Sequence, residues 1–421
     1  MTVESAWNRT VLRANNERLL LGRLRADGAT SRAELARITG LSKPTVSTAL
    51  GRLERAGLVR EVGKLASTGR GRSPVLYEAD PTAGYALGID IGRSWIRAAV
   101  ADLDGAVLGR DNERNQAEDA DALVAAVGAL ARRVTAEAGV EWPKVLHTVV
   151  GSPGVTDSAT HEVRYAVNLP GWGRRGATDL LQRELGTGLA VENDANLAAL
   201  GEYWAGAGKG CELFVYLLVG TGVGSGIVAG GKLFLGAHGA AGEIGYLPWG
   251  AADEPENSAG SSTGNDGGSG ESSAGRSSGG GSSSTAPRRG MLEDAAAGDA
   301  VLTLAHARGL IGADSAKAVF DAARTGDPKA LEVVHLEAER LAHGVAAVAA
   351  VLDPARVVLG GGIGDNADLL LDPLRAALGR LTPLRPELVP SQLGGDAVLR
   401  GAIATAVTAA REAVFEAWNG G

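Results

Sequence analysis

The residues best able to do chemistry lie in Val191-Glu192-Asn193-Asp194-Ala195-Asn196, between a short apolar stretch and an alanine-rich one. That setting puts Asp194 at a strand end facing a cleft. A carboxylate there can take the proton of a hydroxyl as its oxygen attacks a phosphoryl group, with Asn193 orienting the alcohol. The same residues suit a helix N-cap equally well, because Asn and Asp side chains accept from free amides. Three glycine turns accompany them. Ile89-Asp90-Ile91-Gly92-Arg93-Ser94 runs from a strand into a tight turn, offering backbone donors, the Ser94 hydroxyl and the Asp90 carboxylate to a phosphate and a metal ion; an ordinary hairpin has the same pattern. Gly220-Thr221-Gly222 has glycine at alternate positions, which lets a backbone approach an anion closely. Leu359-Gly360-Gly361-Gly362 ends a strand and opens toward a helix, where Gly361 and Gly362 can rest against a nucleotide.

The elements that must position these residues are strands and helices in alternation. Tyr85–Ile91, Ile96–Asp102, Ala106–Arg110 and Val145–Val150 read as strands around a helix from about Asp119 to Ala138. A second round follows, with strands over Leu213–Val219, Gly226–Ala229 and Arg356–Leu359 and helices over Asp294–Ala307 and Ala330–Leu352. Two such rounds imply an α/β body with two lobes. Leu213–Gly231 is uncharged and long enough to raise a membrane span. Its glycines at 220, 222, 224, 226, 230 and 231, with Val, Ile and Tyr between them, favour strand, turn, strand instead. Residues 251–289, dominated by Gly and Ser, are expected to be a disordered insertion.

Ahead of this body stands a different pattern. Ser31 with Glu34 three residues on, and Ser42 with Pro44 in the first turn, mark two helix starts separated by Gly40. Leu35 and Ile38 face inward from the first helix, and Val46, Leu50 and Leu53 from the second. Lys43, Thr45, Ser47, Thr48 and Arg52 are then placed to meet a DNA major groove. Residues 58–62 and 74–77 read as a two-stranded wing with Arg70 and Arg72 at its tip. The whole is a winged helix-turn-helix over residues 1–80; a helical hairpin with a basic loop is the plainer alternative. Residues 1–80 hold 14 of the chain's 41 Lys and Arg but only 8 of its 49 Asp and Glu, so a positive head sits on a negative body.

At 421 residues the chain invites two or three domains. Cys211 is its only cysteine, which excludes an intrachain disulfide and a cysteine-rich zinc site and fits a reduced, cytoplasmic setting. The N-terminal residues lack the apolar core of a secretory signal.

In order along the chain, the Asp90 turn, Asn168-Leu169-Pro170-Gly171-Trp172, Glu192-Asn193-Asp194-Ala195-Asn196, Gly220-Thr221-Gly222, Gly242-Glu243-Ile244-Gly245 and the Gly360 loop resemble the ROK family of sugar kinases and winged-helix repressors. The resemblance implies an actin/hexokinase-like (ribonuclease H-like) body of two lobes, residues 84–194 with 398–421 and residues 195–397. It implies sugar contacts from Asn168, Asn193, Asp194, Glu243 and Glu293, with Asp194 as base and ATP with Mg2+ as cosubstrates in a catalytically active member. Trp172 is open to two readings, stacking on a sugar or core packing.

The chain departs from the family in two places. Tyr246 stands where relatives carry His after Gly-Glu-Ile-Gly, and only Gly290-Met291-Leu292-Glu293 remains of their Cys-rich zinc motif, so zinc is expected to be absent. Arg93-Ser94-Trp95 replaces Gly-Thr-Lys in the phosphate turn, where Arg93 would clash with a nucleotide phosphate or bind another anion. The resulting expectation is a DNA-binding regulator, a homodimer or homotetramer and a repressor, responsive to a sugar or sugar phosphate. The alternatives are an ATP-dependent sugar kinase that retains a DNA-binding head, and a DNA-binding protein whose body serves only oligomerisation.

Overall fold

The computed structural model describes residues 9–64, 73–156, 162–164, 166, 169–249 and 291–419. The wing-tip residues Arg70 and Arg72, the proposed sugar ligand Asn168 and the Gly/Ser-rich tract lie outside them.

The head comprises α1 (Arg9–Asp27), β1 (Thr30–Ser31), α2 (Arg32–Thr39), α3 (Lys43–Arg55), β2 (Val59–Lys64) and β3 (Val75–Ala79). Ser31 Oγ accepts from the Glu34 amide and Ser42 Oγ from the Thr45 amide, so both expected caps form. Gly40 ends α2 at φ 72°, a left-handed turn that glycine adopts without a Cβ penalty. The wing strands pair antiparallel, and β1 adds to β3. Helix α1 adds to the expected elements: Glu17, Leu20, Leu21 and Leu24 recur at helical spacing and are all buried.

The first lobe is a five-stranded sheet ordered β10-β7-β4-β5-β6, built from β4 (Tyr85–Ile91), β5 (Trp95–Asp102), β6 (Val107–Arg114), β7 (Val145–Ser152) and β10 (Gly188–Asn193). A ribbon of β8 (Val155–Thr156) and β9 (Val163–Arg164) follows β7. Alternation along β4 sorts its side chains. Leu87, Ile89 and Ile91 pack toward α4 (Ala120–Glu137) and α5 (Ala177–Leu185), whereas Ala86 joins the core on the opposite face. A Cβ on Gly88 would lie 2.8 Å from the backbone nitrogen of Ile403, so only glycine lets the C-terminal helix pass here. Asp90 is next in that even series and emerges at the strand end. The edge strand β6 runs four residues beyond the expected Arg110, because its alternating half-exposed residues suit one covered face.

The second lobe repeats the plan, with sheet order β13-β12-β11-β14-β15: β11 (Leu213–Val219), β12 (Val223–Ala229), β13 (Lys232–Leu233), β14 (Arg356–Gly360) and β15 (Glu387–Pro390). The uncharged run is therefore a hairpin across Gly220–Gly222, and among the described residues no helix is long and apolar enough to cross a membrane. Between the lobes lies α6 (Asp194–Ala205). The outer helices are α7 (Met291–Ala296), α8 (Gly298–Ala307), α9 (Ala316–Arg324), α10 (Pro328–Leu352), α11 (Gly361–Gly364) and α12 (Ala367–Leu381), and α13 (Ala397–Asn419) closes the chain. The single helix expected over Asp294–Ala307 is split, because the Gly298 amide turns aside to the Gly220 carbonyl at 2.8 Å. Helix α13 packs on β4 and α6, and its distal Val414 and Phe415 share one core with Leu20 and Leu24 of the head.

Candidate functional site: the cleft between the lobes

Strand β10 ends where α6 begins, and Asn193 is the N-cap. Its side-chain oxygen accepts from the Asn196 amide at 3.1 Å and its amide donates to the Gly154 carbonyl at 3.0 Å. The capping role weighed for this motif is thus real, and it fixes Asp194 in the first turn with its carboxylate turned into the cleft. That cleft has a volume of ≈ 380 Å³ and stays open. Asp90, Gly92, Asn193, Asp194, Gly220, Thr221, Gly222, Glu243, Glu293, Gly361 and Gly362 all line it, although they come from both lobes.

Carboxylates dominate one wall. Burial, followed by the negative charge of Asp90, pushes Asp194 up to about 7. Burial, followed by the charges of Asp194 and Glu293, raises Glu243 to about 7. Gly242, at φ 94° and with no room for a Cβ beside the Ser225 carbonyl, brings Glu243 to the wall. Glu293 accepts from the Val223 amide at 3.0 Å, tying α7 to the start of β12. Carboxylates near neutrality, in a pocket large enough for a monosaccharide, can accept hydrogen bonds from vicinal hydroxyls.

The opposite, glycine-rich wall is less open to phosphate than its motifs imply. Gly92 donates its amide to the Trp95 carbonyl at 2.8 Å, and Gly220 donates to the Gly222 carbonyl at 2.9 Å, so both donors are spent on their own turns. Ser94 is exposed and outside the lining. Asp90, expected beside a metal ion, instead accepts from Arg97 at 2.7 Å. Arg97 itself was not anticipated; its place seven residues after Asp90, across a two-strand turn, was the available signal. Tyr216, Asp365, Gly394 and Gly395 also line the cleft unforeseen, and Tyr246, the residue in the family's His position, lines it as well. Trp172 is core: it is fully buried and its indole nitrogen donates to Ser152 Oγ at 2.7 Å.

The ROK family profile matches residues 86–409, and a winged helix-turn-helix DNA-binding profile matches residues 13–60. The chain belongs to the ROK family. This ROK protein is 32% identical over 296 residues to a glucokinase of Halalkalibacterium halodurans, covering 69% of this chain and 83% of that enzyme. It is also 32% identical over 241 residues to a xylose repressor of Caldicellulosiruptor bescii, covering 57% of this chain and 60% of the repressor. Among solved structures, a Streptomyces griseus ROK glucokinase in complex with glucose and AMPPNP superposes with a TM-score of 0.61 at 30% identity, over 77% of this chain and all of that one. A ROK transcriptional regulator described as a homologue of the E. coli MLC protein superposes with a TM-score of 0.71 at 20% identity, over 97% of this chain and 99% of that one, so the shared fold includes the head.

The family's zinc does not fit the residues present in this ROK protein. Cys211 is the sole thiol, half-buried just before β11, and Tyr246 presents a phenol where the imidazole would be. Arg93 is turned toward Asp299 of α8 at 3.6 Å, a contact between the lobes.

In the head, Lys43, Ser47 and Thr48 are exposed along α3, and Thr45 is half-buried with its hydroxyl 2.8 Å from Ser42 Oγ. Arg52 corrects the sequence reading. It pairs at 3.0 Å with Glu17, which is fully buried, and lies 5.3 Å over the Trp418 ring, so it faces α1 and α13 rather than a groove.

Proposed function

We propose that this chain is a transcriptional regulator, a repressor, whose cleft binds a sugar or sugar phosphate and whose head binds operator DNA. The observation that carries the reading is the open cleft walled by Asp194, Glu243 and Glu293 in a chain that begins with a winged helix-turn-helix. The xylose repressor among its relatives supports the ligand class. A head that reads DNA works in the cytoplasm, and pairing of two chains about a two-fold axis matches a palindromic operator. Retardation of DNA from the chain's own upstream region at low salt, reversed by a sugar, tests this directly. No retardation at any protein concentration sinks it.

A second reading, an ATP-dependent sugar kinase, is favoured by Asp194, raised to about 7 and well suited to accept a hydroxyl proton, and by similarity to glucokinases. The Asp90–Arg97 pair and the Gly92 and Gly220 amides, each bonded within its own turn, weigh against it. A coupled ATPase assay across hexoses and pentoses decides, since sugar-dependent turnover would establish the enzyme.

A further inference from the structure

Glu243 and Glu293 meet in the cleft from opposite sides of residues 250–290. Glu243 precedes a short 3-10 turn at Ile244–Tyr246, and Glu293 lies in α7. One stretch of α10 touches both approaches. The His343 and Trp249 rings meet in a T-shaped arrangement with centroids 4.7 Å apart and planes at 76°. Arg340 donates to the Ala295 carbonyl at 2.6 Å. A Cβ added to Gly344 would come within 3.0 Å of Leu292 Cδ2 and 3.6 Å of Ile244 Cδ1, so both approaches also rest on that glycine. The approaches are tied to each other as well, by the Leu292 amide donating to the Leu247 carbonyl at 3.1 Å.

We propose that Arg340 and His343 are positioning residues, which hold the two chain segments bearing Glu243 and Glu293 and so brace the cleft without a metal ion. Residues three apart share one helix face, so a single rigid face of α10 sets both segments. The brace uses polar and aromatic contacts that this sequence possesses, in place of the thiolates it lacks. Its effect on ligand affinity rests on the sugar-binding reading; the brace itself does not.

Hydrogen–deuterium exchange on the full chain separates the two ideas. Trp249→Ala is expected to speed exchange at least ten-fold in peptides spanning 243–247 and 292–297, and to leave β4 and α13 as in the parent. His343→Phe keeps an aromatic partner for Trp249 and should retain parental protection, and 1,10-phenanthroline should change nothing. Unaltered exchange in both flanks, or a uniform loss over the whole body, overturns the proposal. Loss of flank protection on adding the chelator overturns it too. Calorimetry with D-glucose and D-xylose on the same proteins judges the sugar reading separately. Failure of both to bind the parent chain counts against that reading and leaves the brace to be judged on exchange alone.

Discussion

Arg97 donates to the carboxylate of Asp90 at 2.7 Å, inside the cleft and at the end of the strand that carries the family's phosphate turn. The pair places a fixed guanidinium beside the carboxylate expected to meet a metal ion. Burial raises the pKa of Asp90, and Arg97 opposes that rise.

Removing Arg97 leaves a buried carboxylate without its main partner. Arg97→Ala should cost about 2 kcal/mol of stability. Because the variant's Asp90 would titrate higher still, the loss should be larger at pH 8, where the carboxyl must ionise, than at pH 5.5, where it can stay protonated. Urea midpoints at the two pH values measure this; equal midpoints for parent and variant at pH 8 would refute it.

The cleft carboxyls should make the unliganded protein less stable as pH rises. Asp194 and Glu243 have folded values raised to about 7 from ordinary values of 3.8 and 4.5. Between those limits the folded state keeps protons that the unfolded state has lost, so stability is present at low pH and declines up to about pH 7. Sugar hydroxyls donating to these groups favour the ionised form, so binding near pH 7 should release protons. Calorimetry in buffers of different ionisation heat reads that release, and binding that is flat from pH 5.5 to 8 argues against it.

Arg52 and Lys43 should behave oppositely on DNA. Lys43 is exposed at the start of α3, so Lys43→Ala should weaken binding and reduce the slope of log affinity against log salt by about one. Arg52→Ala should leave the slope as it is but lower the stability of the head, because Glu17 loses its partner while buried. Anisotropy titrations across salt concentrations, paired with thermal melts, distinguish the two.

Glu337 is fully buried in α10, and neither of its carboxylate oxygens has a hydrogen-bond partner among the described residues. Burial raises its pKa well above the usual carboxylate range, against the opposing pull of Arg340. Glu337→Met should therefore raise stability by about 1 to 3 kcal/mol, with a greater gain at pH 8 than at pH 5. An unchanged or lower unfolding midpoint at pH 8 would show that the carboxylate is satisfied in solution.

Much of this architecture is legible in the chain because local chemistry and tertiary context agree. Ser31, Ser42 and Gly40 act through bonds within four residues, so their roles could be read directly. Strands Tyr85–Ile91 and Leu213–Val219 were placed to the residue because they are buried on both faces and bounded by turns. What escaped depends on distant partners. Arg52 looked like a groove residue by helix position, but Glu17 and Trp418, far off in sequence, claim it. Gly92 and Gly220 looked like phosphate donors, but hairpin geometry turns their amides inward. Arg97 became visible only once β4 and β5 were paired.

The most direct test of the whole account measures operator affinity of the full chain by anisotropy, with and without a sugar that raises its melting temperature, alongside Asp194→Asn. The sugar is expected to weaken DNA binding at least ten-fold in the parent and to leave the variant unmoved. A sugar that binds the parent chain in the cleft yet leaves its DNA affinity unchanged would contradict it.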